Sequence, residues 1–473
     1  MRMMIAYPAR CGLALAAGAC YSLAFPPLGH GWLVVPGLAG LLLALNGLHG
    51  TRARAVGFLH GMAAYGIGLS WLYEIFGILV VVLCCVLAAF TALFAEMQSR
   101  ASGSGISGWK FALFTAVNWG GWEFIRAELF PLRFPWMTPG LAIGPNALLP
   151  WIGVYGVGVL IVFAVALLAH GAWKRSAVLF ALLVWMVKPP SAHQMPDASE
   201  EGAVSIAGLQ FENVTIDEFL KATSALPGEV RYVVWPEYAV PYDIRKNPRD
   251  WKLVTALCLD RGITLTFGTQ RLHRDGNAWR NIALTLDAGG VLGEHAKVHT
   301  VHFFDDGTPG DTALPVGTPH GKVGTPICFD GDYEGIVRRM TAAGAELFVV
   351  PVMDAAPWTA RQHDQHAELF RIRAAENGRW MFVCASSGVS QIIDPAGQVH
   401  ARLGALEQGV LAGRIRRENQ MTFYTRYGWL TPWGVLVVAG VCWIGLLLKR
   451  RKPALAGGGL ICGFVEAAMR PHR

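Results

Sequence analysis

Charge is what this chain has least of. Of its 473 residues, 15% are Asp, Glu, Lys or Arg and 53% are hydrophobic, whereas soluble proteins carry about 25% charged residues. The shortage is uneven. Residues 1–190 and 429–448 are strongly apolar, while 191–428 reads as an ordinary soluble domain. This excludes a single soluble globule and implies a membrane protein with one large globular insertion. Three parts are expected: a membrane domain over 1–190 with seven spans, an extracytoplasmic domain over 191–428, and a final span with a basic cytoplasmic tail over 429–473. Paired cysteines are also missing. Of nine cysteines, only Cys258, Cys328 and Cys384 fall in the soluble stretch, and no Cys-x-x-Cys occurs. No disulfide framework follows from that pattern. The net charge of +7 sits in short loops beside apolar segments, which speaks for membrane topology and against nucleic-acid binding.

About eight candidate spans are present, at 10–27, 31–49, 55–73, 77–96, 106–125, 150–169, 174–189 and 429–448, of which 174–189 is the shortest. A spanning helix needs about 20 apolar residues. The basic residues Arg2, Arg10, Arg52, Arg54, Arg100, Lys110, Lys174, Arg175 and Lys449–Lys452 all fall on one side of that arrangement. The positive-inside rule then places both termini in the cytoplasm and residues 190–428 outside it, the periplasm in a bacterium with two membranes.

The soluble stretch alternates short apolar strands with helical segments. Strands are expected at Val204–Leu209, Tyr232–Trp235, Ile263–Phe267, Ile282–Leu286, Val291–Val298, Val323–Ile327, Leu347–Val352, Met381–Ala385 and Ser390–Ile393. The run Asp394-Pro395-Ala396-Gly397 reads as a hairpin turn. Helical spacing covers Tyr333–Ala343 and Gln362–Asn377. A layered α/β sandwich accounts for this mixture.

Three strand ends carry reactive side chains: Glu237 in Val-Val-Trp-Pro-Glu, Lys297 in Gly-Glu-His-Ala-Lys, and Cys328 in Gly-Thr-Pro-Ile-Cys-Phe-Asp. A thiol is mostly protonated at neutral pH, so a cysteine nucleophile needs activation. A carboxylate can take its proton, a helix starting at the cysteine favours the anion, and a lysine ammonium can hold a tetrahedral oxyanion. Singly, each residue also fits a buried thiol, a loop acid or a solvated amine; together they point to acyl chemistry.

These motifs, in this order and spacing, resemble the nitrilase (carbon–nitrogen hydrolase) superfamily, and the spans around the domain resemble apolipoprotein N-acyltransferases. The likeness runs through Leu23-Ala24-Phe25-Pro26, Gly68-Leu69-Ser70-Trp71, Trp122-Glu123 with Arg126, Phe134-Pro135-Trp136, Gly153-Val154-Tyr155-Gly156, Gln365-His366, Arg371-Ile372-Arg373-Ala374 with Glu376, and Tyr424–Gly428. The resemblance implies an α-β-β-α nitrilase-type sandwich beside a polytopic α-helical membrane domain. It implies a phospholipid acyl donor, a Cys328 thioester, and transfer to the amine of a diacylglyceryl-cysteine at a lipoprotein's N-terminus, with no metal or dissociable cofactor. A monomer in the bacterial inner membrane is expected, its catalytic domain facing the periplasm. Four supporting positions follow from the same likeness. Asp305 takes the place of a second glutamate eight residues after the lysine. Phe329 and Asp330 replace Tyr-Glu after the cysteine, and Asp354 in Met353-Asp354 matches an Asn-Asp pair. A membrane-tethered amidase of the same superfamily, and a non-catalytic membrane scaffold, are the alternative readings.

Overall fold

The computed structural model describes residues 6–448 apart from 170–188, 274, 275 and 277; the expected seventh span and the basic tail after Leu448 lie outside the described residues. The first part is helical. By length and composition, Leu72–Ser102, Leu149–Ala169 and Tyr424–Leu448 are long and apolar enough to cross a membrane. Tyr7–Ser22, Val34–Leu45, Thr51–Gly68 and Gly108–Phe124 coincide with four further candidate spans but are shorter or more polar. Apolar helices gain little from burial against one another in lipid, so close backbone approach matters. Gly57 and Gly61 supply it: a Cβ on either would come within 2.7 Å of backbone atoms of Thr91 or Ala88. The last helix, Leu430–Leu448, leaves Val437, Val438, Val441, Ile444 and Leu447 exposed, a face suited to lipid.

The second part is two six-stranded sheets. One has the order β12-β1-β2-β3-β4-β5, with β1 Ala203–Gln210, β2 Tyr232–Val234, β3 Thr264–Leu272, β4 Trp279–Asp287, β5 Gly290–Ala296 and β12 Gly409–Arg416. The other has the order β11-β10-β9-β8-β7-β6, with β6 Val316–Thr318, β7 Gly321–Gly324, β8 Leu347–Val352, β9 Met381–Ala385, β10 Ser390–Ile393 and β11 Val399–Leu403. Their inner faces meet through Ile206, Tyr232, Val234, Val349, Phe382 and Ile415, all buried. Helices Ile216–Ser224 and Pro248–Arg261 cover the first sheet, and Glu334–Ala342 and Thr359–Asn377 the second. The result is the α-β-β-α sandwich expected. All nine expected strands form, and the Asp394–Gly397 turn joins β10 to β11. The strand expected over Val323–Ile327 stops at Gly324.

The helix Thr359–Asn377 fastens the sandwich to the helical part. Gln365 accepts from the Trp71 indole N–H at 3.1 Å and donates to the carbonyls of Pro26 and Gly68. Glu376 accepts from the Val154 N–H at 2.8 Å. Arg126 holds the carbonyls of Phe134 and Trp136, and the Trp136 indole donates to Asp332. Several of the motifs carrying the family resemblance are therefore the joints between the two parts.

Candidate active site

The reactive side chains converge where strand ends of the two sheets meet. β2 runs through Trp235-Pro236 into Glu237, whose backbone crosses β3 at Gly268. A Cβ on Gly268 would lie 2.4 Å from the Glu237 Cα, so only glycine admits this crossing. β5 ends at Ala296 and delivers Lys297. The Lys297 ammonium, 2% exposed, donates to Glu237 Oε1 at 2.8 Å and pairs with Asp306 Oδ2 at 2.8 Å. The Asn281 amide bridges the same two carboxylates, at 2.6 Å and 2.8 Å. Cys328 follows β7 with φ +45°, a left-handed conformation that costs a side-chain-bearing residue about 1–3 kcal/mol and is held by its surroundings. Cys328 and Glu237 meet at Met353, whose carbonyl lies 3.7 Å from Cys328 Sγ and whose N–H donates to Glu237 Oε2 at 2.9 Å.

One local expectation fails. Cys328 opens a four-residue 3-10 turn, Cys328–Gly331, and the α-helix starts only at Glu334. So short a turn aligns few peptide dipoles, and the Lys297 charge is what favours the thiolate. Burial, and next the Glu237 charge, push the Cys328 thiol well above its ordinary value, with Lys297 working against them. Burial raises Glu237, Lys297 opposes it and Asp306 adds to the rise. Burial disfavours the Lys297 ammonium, yet Glu237, Cys328 and Asp306 together hold it well above the usual lysine value. The resting site is a neutral thiol beside an ammonium and a carboxylate made more basic than usual.

The supporting residues divide. Asp305 is exposed, and the carboxylate that reaches Lys297 is its neighbour. Asp306, 5% exposed, also accepts from the Tyr238 hydroxyl and the Val301 N–H. Burial opposes its charge, but Lys297 and these hydrogen bonds lower its pKa. The position expected of Asp305 is thus filled one residue later, because Val301–Gly307 turns through a left-handed Phe303, φ +69°. Asp330 is a brace. It accepts from the N–H groups of Val298 and His299, from Ile327 N–H and from the His295 ring, tying the Lys297 strand end to the Cys328 turn. Burial would raise its pKa, but His295 and His299 hold it well below the usual carboxylate range. Phe329 lines the cavity above the sulfur.

Asp354 follows β8 and accepts from Gln362 at 3.0 Å and from His366 Nδ1 at 2.8 Å, while His366 Nε2 faces Asp332 at 3.0 Å. Burial would lower the His366 pKa, but Asp354 and Asp332 push it up to about 10. Atoms of Cys328, Asp354 and His366 lie within 4.8 Å of one another, a set of metal-ligand types. An imidazolium with both nitrogens facing carboxylates has no lone pair for a metal. Asp306, Asn281, Tyr238 and Asp332 carried no sequence assignment, whereas Asp354 and Gln365-His366 were named by the resemblance; an acid directly before Gly307 was the available signal for the first.

Above the sulfur is an apolar cavity of about 110 Å³. Trp71, Phe76 and Trp136 close it from the helical part, and Phe303, Phe304 and Trp358 from the sandwich. Trp136 also lies flat on His366, ring centroids 5.9 Å apart at 16°. The site thus has one face in the helical part and an apolar chamber over Cys328.

The family described as apolipoprotein N-acyltransferase N-terminal domain matches residues 17–167, and the carbon–nitrogen hydrolase family matches 186–421. An apolipoprotein N-acyltransferase of Geobacter metallireducens is 27% identical, covering 93% of this chain and 95% of that protein. One from Pseudomonas paraeruginosa is 28% identical over 93% and 96%. Among solved structures, a carbon–nitrogen hydrolase from Helicobacter pylori is 21% identical, covers 53% of this chain and 99% of its own, and has a TM-score of 0.40. With both family matches in chain order and full-length relatives on either side of them, this chain belongs to the apolipoprotein N-acyltransferase family.

Proposed function

We propose that the protein moves an acyl chain from a phospholipid to the N-terminal amine of a diacylglyceryl-cysteine lipoprotein, through a thioester on Cys328. The observation that carries this is the joint site: a buried Glu237–Lys297 pair beside Cys328, under an apolar chamber half walled by the membrane domain. In the first half-reaction Glu237 takes the thiol proton as sulfur attacks the donor ester carbonyl. Lys297 donates to the oxyanion. Collapse expels the lysophospholipid alkoxide, which takes the proton back from Glu237 and leaves the thioester. In the second, a neutral amine attacks the thioester and gives its proton to Glu237. The departing thiolate recovers that proton, and an amide has formed. The full complement of about eight spans, with residues 191–428 on the periplasmic side of the inner membrane, completes the proposal. A monomer supplies every group used.

A membrane-tethered amidase would use the same three residues. The apolar chamber favours a lipid acyl group over a soluble amide. The test is intact-protein mass spectrometry after incubation with phospholipid. The wild type should gain one acyl mass on the Cys328 peptide and Cys328→Ala none. An adduct that persists in Cys328→Ala would move the nucleophile elsewhere.

A further inference from the structure

The chamber over Cys328 is mainly apolar; of its polar lining residues, Asp354, Gln362 and His366 are paired with one another, which leaves Arg133 and His302. Arg133 comes from the segment between helical part and Trp136, and is exposed. Its guanidinium donates to His299 Nε2 at 3.1 Å. The other His299 nitrogen faces Asp330 at 3.4 Å. Among the described residues no carboxylate lies within 4.0 Å of the Arg133 guanidinium, whereas Arg245, Arg249, Arg371 and Arg416 each have one. Burial and then the Arg133 charge lower the His302 pKa, so the two groups share one electrostatic neighbourhood. An uncompensated guanidinium between low-dielectric walls focuses its field outward, and its planar fork matches two phosphate oxygens.

We propose that Arg133, with His302 beside it, holds the phosphodiester of the acyl donor and so sets which lipid ester reaches Cys328. This rests on the proposed donor-to-cysteine transfer and names the part of the donor that the site recognises. One phosphodiester charge against one guanidinium leaves the mouth neutral when the acyl chain fills the chamber. The neutral His302 ring adds a single hydrogen bond. Arg133 touches neither sulfur nor ester, so its effect belongs to binding and should appear in KM before kcat.

The test uses two detergent-dispersed donors with the same acyl ester, dioleoylphosphatidylethanolamine and dioleoylglycerol, on the full-length protein. The readout is the rate of Cys328 thioester formation at varied lipid. The wild type should prefer the phospholipid. Arg133→Gln should cut that preference at least tenfold, mainly through the phospholipid KM, and Arg133→Lys should restore part of it. Being exposed, position 133 puts folding at little risk, and the glycerolipid rate checks it. An unchanged preference in Arg133→Gln, with the wild type forming thioester, overturns this inference and leaves the transfer reading standing. No thioester from either lipid in the wild type overturns the transfer reading itself. Inorganic phosphate suppressing thioester formation, with relief in Arg133→Gln, would reassign the site to a free anion and overturn the lipid assignment.

Discussion

Replacing Asp306 with asparagine removes one charge and keeps the side chain's shape. Asp306 and Glu237 both bind the Asn281 amide and the Lys297 ammonium. Sharing those partners brings the two negative charges close enough to repel each other. The sign is known: Asp306 raises Glu237, so Asp306→Asn lowers it and weakens the base. A weaker base slows proton transfer, and thioester formation with it. Lys297 also loses one of its two anchors, and the combined expectation is a roughly 10- to 100-fold loss. Because Glu237 must be ionised to accept the thiol proton, the rate falls as pH drops through its pKa. In Asp306→Asn this acid limb should move to lower pH. Asp305→Asn, at an exposed side chain, should stay within about twofold of wild type, the usual range for an exposed change. Quenched-flow mass spectrometry of the Cys328 adduct, taken between about pH 4 and pH 8 to bracket a raised carboxylate pKa, measures both. Asp305→Asn losing more activity than Asp306→Asn, or an acid limb that moves upward in Asp306→Asn, refutes the reasoning.

Glu237→Gln and Lys297→Met should each slow thioester formation by about 10²–10³, the usual loss for one electrostatic group in such a site; near-wild-type rates in single-turnover assays would move that role to another residue. His366, pushed up to about 10 in the fold from about 6.5 unfolded, contributes stability that is complete below the unfolded value and is lost as pH rises through the folded one. The melting temperature should therefore fall on going from neutral pH to about pH 10, and His366→Asn should flatten that dependence while lowering stability at pH 7, because a buried pair broken on one side costs about 3–5 kcal/mol. A reporter active only outside the cytoplasm should be active when fused near residue 300 and silent after Lys452; the reversed pattern would mean that the span count over the stretch before residue 190 is wrong by one.

The sequence showed the reactive strand ends because each local pattern is self-contained: an apolar run, then a charged or nucleophilic residue. Glu237, Lys297 and Cys328 are brought together by β2, β5 and β7 as that patterning suggested. The third carboxylate was missed by one position, since counting eight residues from Lys297 says nothing of how the backbone turns at Phe303. Three strands went unseen. β6 and β11 are sheet edges, and β12 pairs with β1 across 199 to 213 residues. The helix Ile216–Ser224 was also passed over, although Thr215 and Glu218 form a capping box at its start. The resemblance named Asp354 and His366, but the His366 clamp that they form with Asp332 could not be read. Its partners Asp332 and Asp354 come from different strand ends, and Trp136 from the membrane part. The span count suffers differently: helices of 12 to 18 residues, such as Val34–Leu45 and Thr51–Gly68, fall at or below spanning length, although the apolar runs around them read longer.

The central claim is transfer to an amine through Cys328, and it is tested most directly by a chase. Protein carrying an isolated acyl group on Cys328 is mixed with a diacylglyceryl-cysteine peptide in detergent, and peptide and enzyme are followed by mass spectrometry. The account predicts that the peptide gains the acyl mass as an amide at its N-terminus while Cys328 returns to the free thiol at the same rate. It also predicts that the adduct persists when the peptide is left out. Loss of the adduct to water as free fatty acid, at a rate the peptide does not change, would contradict it and make the protein a hydrolase.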